Sequence, residues 1–301
     1  MLDIRKLRLL RELAHRGTLA AVAEALSYTP SAVSQQISAL EREAGRALLT
    51  RTGGRVHLTP AGTVLVEHTE QVLADLERAE AALAGSDAHP SGPVRLGAFP
   101  SALRPIVLPA LREIGRTAPN VAVTVTEVDP ADVPDLLRGG HLDIALVHEY
   151  DNVPSTMGSG IDLEPLLDEH VYLASTPATA AEDAAIRSHS RSHWIVGNPG
   201  TLCHTMTIRS CQSHGFEPHI THHIDDYPTT LHLVAAGAGV ALIPQLGATD
   251  APIDVALTPL PIGRRTRIAY RDGSRSHPAY AAVSAELHHA THHLHQRSRA
   301  G

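Results

Sequence analysis

Five side chains near the start of the chain are of types that can read a nucleic acid. Ser31, Ser34 and Gln35 recur at helical spacing, and Arg51 and Arg55 flank the pair Gly53-Gly54. Short hydroxyls and a side-chain amide approach base edges and phosphates without steric conflict, and arginines on a narrow hairpin reach phosphates or a minor groove. The pattern assigns Ser31, Ser34 and Gln35 to bases or the groove floor. Thr29, Arg51 and Arg55 are assigned to phosphates, with Pro30 at the helix entry. A second set of hydroxyls, Ser101, Thr201 and Thr229, stands at or near expected helix N-termini, where unpaired N–H groups and the helix dipole favour an anion. Ordinary N-caps occupy the same positions.

These groups need elements to hold them. Thr18 can cap a helix with Leu19, Ala20, Val22, Ala23 and Leu26 on its apolar side. Thr29 caps the next, Pro30 takes its first position, and Val33, Ile37 and Leu40 form the buried side, with Gly45 as the stop. Residues 51–58 then read as strand, Gly-Gly turn and strand. Each helix alone fits a small three-helix domain with a solvated polar face. The ordered combination over residues 1–59 is a winged helix-turn-helix and points to duplex DNA.

A further helix spans 60–85, with Leu65, Thr69, Val72, Leu76, Ala79 and Leu83 at seven-residue a/d spacing. Packing against its own domain predicts a similar stripe. Because the helix runs from a winged domain to a linker, self-association through Leu65, Val72, Leu76 and Leu83 is the expectation. Residues 86–93, SDAHPSGP, form a hinge. Beyond it, apolar runs at 94–98, 121–125, 144–147, 171–174, 195–196, 240–243 and 268–270 alternate with helical stretches at 101–117, 131–139, 201–214 and 228–237. That is an α/β signature, from which a mostly parallel sheet is expected.

The chain has 301 residues and a formal net charge of −7. Residues 1–60 carry nine basic against five acidic residues, leaving the remainder strongly acidic, so attraction for phosphate is confined to the head. Two cysteines, no apolar leader and no apolar run of membrane length fit a cytoplasmic protein.

Residues 1–85 resemble the DNA-binding region of LysR-type transcriptional regulators. The likeness rests on Leu7, Leu10, Ala20, Ala23, Leu26, the run Pro30–Ile37, Leu40-Glu41, Gly45, Leu48-Leu49, Arg51 and Leu58–Gly62; Leu49 stands where the family usually has Phe. Gly140–Ala145 and Val234–Pro244 resemble two elements of the family's ligand-binding half. The resemblance implies an α+β multidomain chain: the winged head, a dimerisation helix, and an effector domain over 94–301 similar to periplasmic binding proteins. It implies one subdomain of about 94–161 with 267–301, a second of about 162–266, and a cleft between them. It also implies operator DNA and a small-molecule effector as partners, RNA polymerase as a further one, and a homodimer or homotetramer.

Ligands of open α/β sheets bind outside the carboxyl ends of the strands. With the resemblance, this selects Pro100, Ser101, Ala102, Val128, His148, Gly200, Thr201, Tyr227 and Thr229, and the hydroxyls among them suggest an anionic effector. The 21 histidines include the tract from His288 to His295, with i, i+4 pairs that can hold a metal. A metal- or pH-responsive regulator is therefore one alternative, a solvated histidine-rich surface another. No P-loop, G-x-S-x-G or H-E-x-x-H occurs, Cys203 and His204 are merely adjacent, and neither enzyme nor cofactor is expected. An α/β enzyme leaves residues 18–62 unexplained. A non-specific DNA-architectural protein leaves the second half unexplained.

Overall fold

The structure, a computed structural model, describes residues 1–52, 55–86, 89–155, 157–177 and 186–298, with side chains at 51, 52, 55, 293 and 295–298 left aside. The Gly53-Gly54 turn, the side chains of Arg51 and Arg55, and those of His293 and His295 therefore lie outside the described residues, as do residues 87 and 88 of the expected hinge. The chain divides into two compact units, residues 1–83 with 272–274, and 84–271 with 275–301.

In the first unit, α1 (Ile4–Arg16), α2 (Leu19–Ala25) and α3 (Pro30–Ala44) precede a hairpin of β1 (Leu49–Thr52) and β2 (Arg55–Leu58), and α4 (Pro60–Ala84) follows. Local chemistry sets the helix ends. Asp3, Thr18 and Thr29 each accept a first-turn N–H with the side chain, and Gly17 and Gly45 close α1 and α3 at φ +75° and +66°, a region glycine enters without strain. Leu7, Leu10, Leu13, Val22, Val33, Ile37, Leu40 and Leu48 form the core. Glu12, fully buried in α1, accepts from Arg11 at 2.7 Å and Arg16 at 2.9 Å, and His15 meets Glu70 of α4 at 2.9 Å. Gly62 is needed where α4 crosses the hairpin base, since a Cβ there would run into the Leu48 carbonyl.

The second unit holds β3 (Gly92–Ala98), α5 (Pro100–Ala102), a π-turn, α6 (Leu108–Thr117), β4 (Val121–Glu127), α7 (Val133–Arg138), β5 (Ile144–Tyr150) and β6 (Ile161–Ser175). It continues with β7 (His193–Val196), α8 (Leu202–Ser213), β8 (His219–His223), α9 (Tyr227–Ala235), β9 (Ala241–Pro244), β10 (Ala256–Arg271) and α10 (Pro278–Ser298). One six-stranded sheet runs β4-β3-β5-β10-β6-β9, and β7 pairs with β8 in a second. The expected mostly parallel sheet is corrected here. Among the described residues, only β3–β4 and β3–β5 are parallel within the large sheet, while β5–β10, β10–β6 and β6–β9 are antiparallel. The runs at 171–174 and 268–270 are fragments of the 15- and 16-residue strands β6 and β10, whose polar stretches disguised their length.

Those two strands pass through both halves of the unit. Leu167 and Ile268 pack with β3, α6 and α10, whereas Val171, Leu173 and Leu260 pack with Trp194 and Met206. Between these cores Arg264 lies directly across from Glu169, and both side chains are buried. Arg264 donates through Nε and an NH2 group to the two Glu169 oxygens, each at 2.9 Å. Glu169 further accepts from the Leu246 N–H at 2.8 Å and the Thr266 hydroxyl at 3.2 Å. An ion pair in this setting is costly to break from one side, because the remaining charge stays desolvated. Glu169→Ala should lower the unfolding free energy by about 3–5 kcal/mol in urea titration of the full chain, and replacing both residues by Met should recover most of that loss. A loss below about 1 kcal/mol for Glu169→Ala would show that the pair is hydrated.

Candidate nucleic-acid interface and ligand cleft

In the first unit, Val33, Ile37 and Leu40 fix one side of α3 in the core, so the opposite side faces outward. Ser31, Gln35 and Ser38 are exposed and Ser34 half-buried, all on that outer side at i, i+3, i+4 and i+7. The face carries hydroxyls and an amide without charge. The Thr29 oxygen caps α3 through the Ala32 N–H at 3.2 Å, and Pro30 occupies the first helical position. The hairpin pairs Arg51 with Val56 and Thr52 with Arg55, which places both arginines at its outer end. Sequence reasoning passed over Tyr28, a 47 % exposed aromatic at the entry to α3. Its signal was an aromatic ring in an otherwise polar turn.

Helix α4 divides the expected stripe. Leu65 packs on the head core, and Thr69 is buried with its hydroxyl donating to the Leu65 carbonyl at 2.7 Å. Val72, Leu76 and Leu83 are exposed, together with Val64. Leu65 thus follows the packing alternative, and the other three leave an uncovered apolar edge.

In the second unit, a cleft of about 230 Å³ opens at the carboxyl ends of β3, β4 and β5 and the start of α8 and α9. Pro100, Ser101, Val128, His148, Thr201 and Tyr227 line it. Ala102, Gly200 and Thr229 do not: Ala102 is fully buried in the β3–α6 core, and the other two turn to the exterior. The lining also includes Asp129, expected there beside Val128, and Glu127, Asp225, Cys203 and Arg264, which sequence reasoning did not select.

Hydrogen bonding already uses the groups expected to hold an anion. Arg264 donates to Ser101 Oγ at 3.2 Å, and its guanidinium lies 5.2 Å over the Phe99 ring. The Thr201 oxygen accepts the His204 N–H at 3.2 Å and donates to the Asn198 carbonyl at 2.9 Å. At α9, the Thr229 N–H bonds the Asp226 carboxylate at 2.9 Å. Among the described residues, Arg264 is the one arginine or lysine of the lining, and Glu169 neutralises it. Three carboxylates remain, so the expectation of an anionic ligand does not match the charge of the cleft.

Burial, then the Arg264 charge, hold the His148 imidazole well below its ordinary pKa, and it stays neutral at pH 7. Its ring stands edge-on to Phe99 at 4.7 Å and Tyr150 at 5.1 Å. Cys203 Sγ lies 3.3 Å from the Tyr150 hydroxyl and 3.0 Å from that of Tyr227, and burial pushes this thiol up. Burial likewise pushes Cys211 up to about 12. Neither cysteine has the lowered pKa of an activated nucleophile.

The histidines spread over several surfaces. His288 meets Glu164 at 2.9 Å and His289 meets Glu286 at 3.1 Å, while His193–His219 and His204–His223 pair ring to ring. Among the described residues, no three His, Cys, Asp or Glu side chains are placed to hold a metal ion, and no helix is long and apolar enough to cross a membrane.

Two family models match this architecture. The model described as bacterial regulatory helix-turn-helix protein, lysR family, covers residues 4–63, and that of the LysR substrate binding domain covers residues 87–291. A probable hydrogen peroxide-inducible genes activator of Mycobacterium avium is 28 % identical over 298 residues, 92 % of this chain and 91 % of that protein. An H2O2-bound mutant of Corynebacterium glutamicum OxyR shares the fold at a TM-score of 0.59 and 22 % identity, covering 97 % of this chain and 94 % of that one. Full-length CbnR complexed with its target DNA does so at 0.53 and 20 % identity, covering 96 % of this chain and all of that one. The chain belongs to the LysR family, as a DNA-binding transcriptional regulator with an effector-binding domain and not an enzyme.

Proposed function

We propose that α3 enters the major groove of an operator and that the second unit senses a small molecule in its cleft. The uncharged outer face of α3 supports the first part most directly. Ser31, Ser34 and Gln35 stand where a recognition helix meets base edges, and a side-chain amide in the groove pairs with adenine. Thr29, Arg51 and Arg55 are assigned to phosphates, with Pro30 fixing the helix entry. CbnR has been captured on its target DNA with the same fold.

The two assignments differ in what they disturb. Gln35→Ala should relax preference among operator sequences, and Arg55→Ala should weaken binding to every sequence and reduce the salt slope by about 1. Fluorescence anisotropy with operators taken from genome-wide binding sites measures both. Equal loss on all sequences for Gln35→Ala would remove it from base reading.

The exposed edge of α4 supports a dimer that presents two α3 helices to a two-fold operator. Val72 and Leu76 sit at its centre, with Leu83 at the far end, and Leu65 serves the head core instead. Val72→Glu with Leu76→Glu should convert the full chain from dimer or tetramer to monomer in sedimentation velocity, with little change in helix content. An unchanged sedimentation coefficient would move the interface elsewhere.

The cleft is the candidate effector site, with Pro100, Ser101, Val128, His148, Thr201 and Tyr227 in its lining. Ala102, Gly200 and Thr229 stand outside that lining. An effector identified by its influence on operator occupancy should bind Thr201→Val at least roughly tenfold more weakly in isothermal titration. Unchanged affinity in Thr201→Val and Ser101→Ala would place the effector outside the cleft.

A further inference from the structure

The charge of the cleft is unbalanced in one direction. Glu127 and Asp225 are exposed in its lining, and Asp129 is half-buried. The Asp225 carboxylate accepts from the Asn198 N–H at 2.8 Å and from the Asn198 side-chain amide, and Asp129 accepts the Ala131 N–H at 2.8 Å. Those donors are neutral. Among the described residues no ion pair joins an arginine or lysine to either carboxylate, and the His204 ring that Asp225 acts on is itself held below its ordinary pKa. Arg264 cannot serve as their partner, because it is fully buried and paired with Glu169. Burial, and then the charges of Asp132 and Asp225, hold the Asp129 carboxyl above its usual range. Such a group gains from an arriving cation.

A second observation comes from a different part of the lining. His148 is 3 % exposed, and among the described residues its Nδ1 finds no hydrogen-bond partner on another residue. Buried polar atoms of this kind are rare unless a ligand or water completes them. The ring is neutral, so it neither repels a cation nor attracts an anion. Between these polar groups, Val128, Ile195, Leu242 and Ile243 supply apolar wall. The volume, about 230 Å³, is below the drug-sized range and suits a metabolite.

We propose that the effector of this cleft is a small organic cation, a protonated amine drawn by the carboxylates that Asp129, Asp225 and Glu127 spread along the lining, with His148 as a further acceptor. An inorganic ion fits less well, since among the described residues no three ligating side chains converge. The assignment rests on the reading of the cleft as the effector site.

Full-length protein and four probes of one skeleton test it: butylamine, putrescine, butanol and butyrate, by isothermal titration and thermal shift at millimolar concentration. Either amine should bind and raise the melting temperature above the shift given by the alcohol or the acid. Asp129→Asn and Asp225→Asn should each weaken amine binding by about tenfold. Where such a change lowers the ligand-free melting temperature, Glu127→Gln on its exposed side chain carries the comparison, with a smaller loss expected. Butyrate or butanol binding more tightly than the amines, with butyrate tightening further in the Asn variants, would overturn the charge assignment and leave the cleft as effector site. Amine binding indifferent to all three substitutions would overturn both readings. No response to either amine would overturn the proposal alone.

Discussion

Glu169 and Arg264 face each other across β6 and β10, at the level where one core of the second unit gives way to the other. Few side chains could do this work. The long strands carry the sheet through both halves, and the pair sits where they pass from one core to the other. Glu169 collects the Leu246 N–H beyond β9, and Arg264 reaches the Ser101 hydroxyl at the start of α5. Segments more than 70 residues apart are thereby tied to one buried pair. Phe99, under the guanidinium, and His148, against Phe99, continue the same packed array.

The pair also decides the chemistry next to it. A guanidinium at the floor of a cleft suggests anion binding, yet this one is buried and spent on Glu169. What remains in the lining is carboxylate. The structural cation and the remaining charge of the lining therefore have opposite signs, a separation that follows from burial. The head shows the converse economy. Its buried pair, Glu12 with Arg11, joined by the half-buried Arg16, holds α1 together, and the outward face of α3 stays uncharged and short. Phosphate attraction and base reading can then be assigned to different side chains.

Local patterns were legible where the relevant physics is local. The caps at Thr18 and Thr29, Pro30 at the first turn and the glycine stop at Gly45 lie within a few residues of the helices they bound, and the structure places each as the pattern suggests. Strands β6 and β10 were less legible because half of each is polar. Strand β8, His-Ile-Thr-His-His, was missed since it has no apolar run and depends on pairing with β7. Antiparallel pairing was hidden too: strands alternating with helices suggest parallel crossovers, but β6 and β10 meet across 80 intervening residues. Six of the nine expected cleft residues line the cavity because strand ends and helix starts converge by topology. Ala102 fails since helical periodicity turns it to the core.

The amino-acid sequence by itself determined that this chain carries a winged reading head, a long connecting helix and an α/β body, with positive charge kept to the head. Those conclusions need only helix and strand periodicity, capping and composition, which are properties of neighbours in the chain. The tertiary structure alone decided the charge of the cleft. Glu127, Asp129, Asp225, Glu169 and Arg264 are scattered over some 140 residues, and which carboxylate neutralises the arginine depends on strand register. Counting hydroxyls at helix starts pointed to an anion. Pairing Arg264 with Glu169 across two strands removed the countercharge an anion would need.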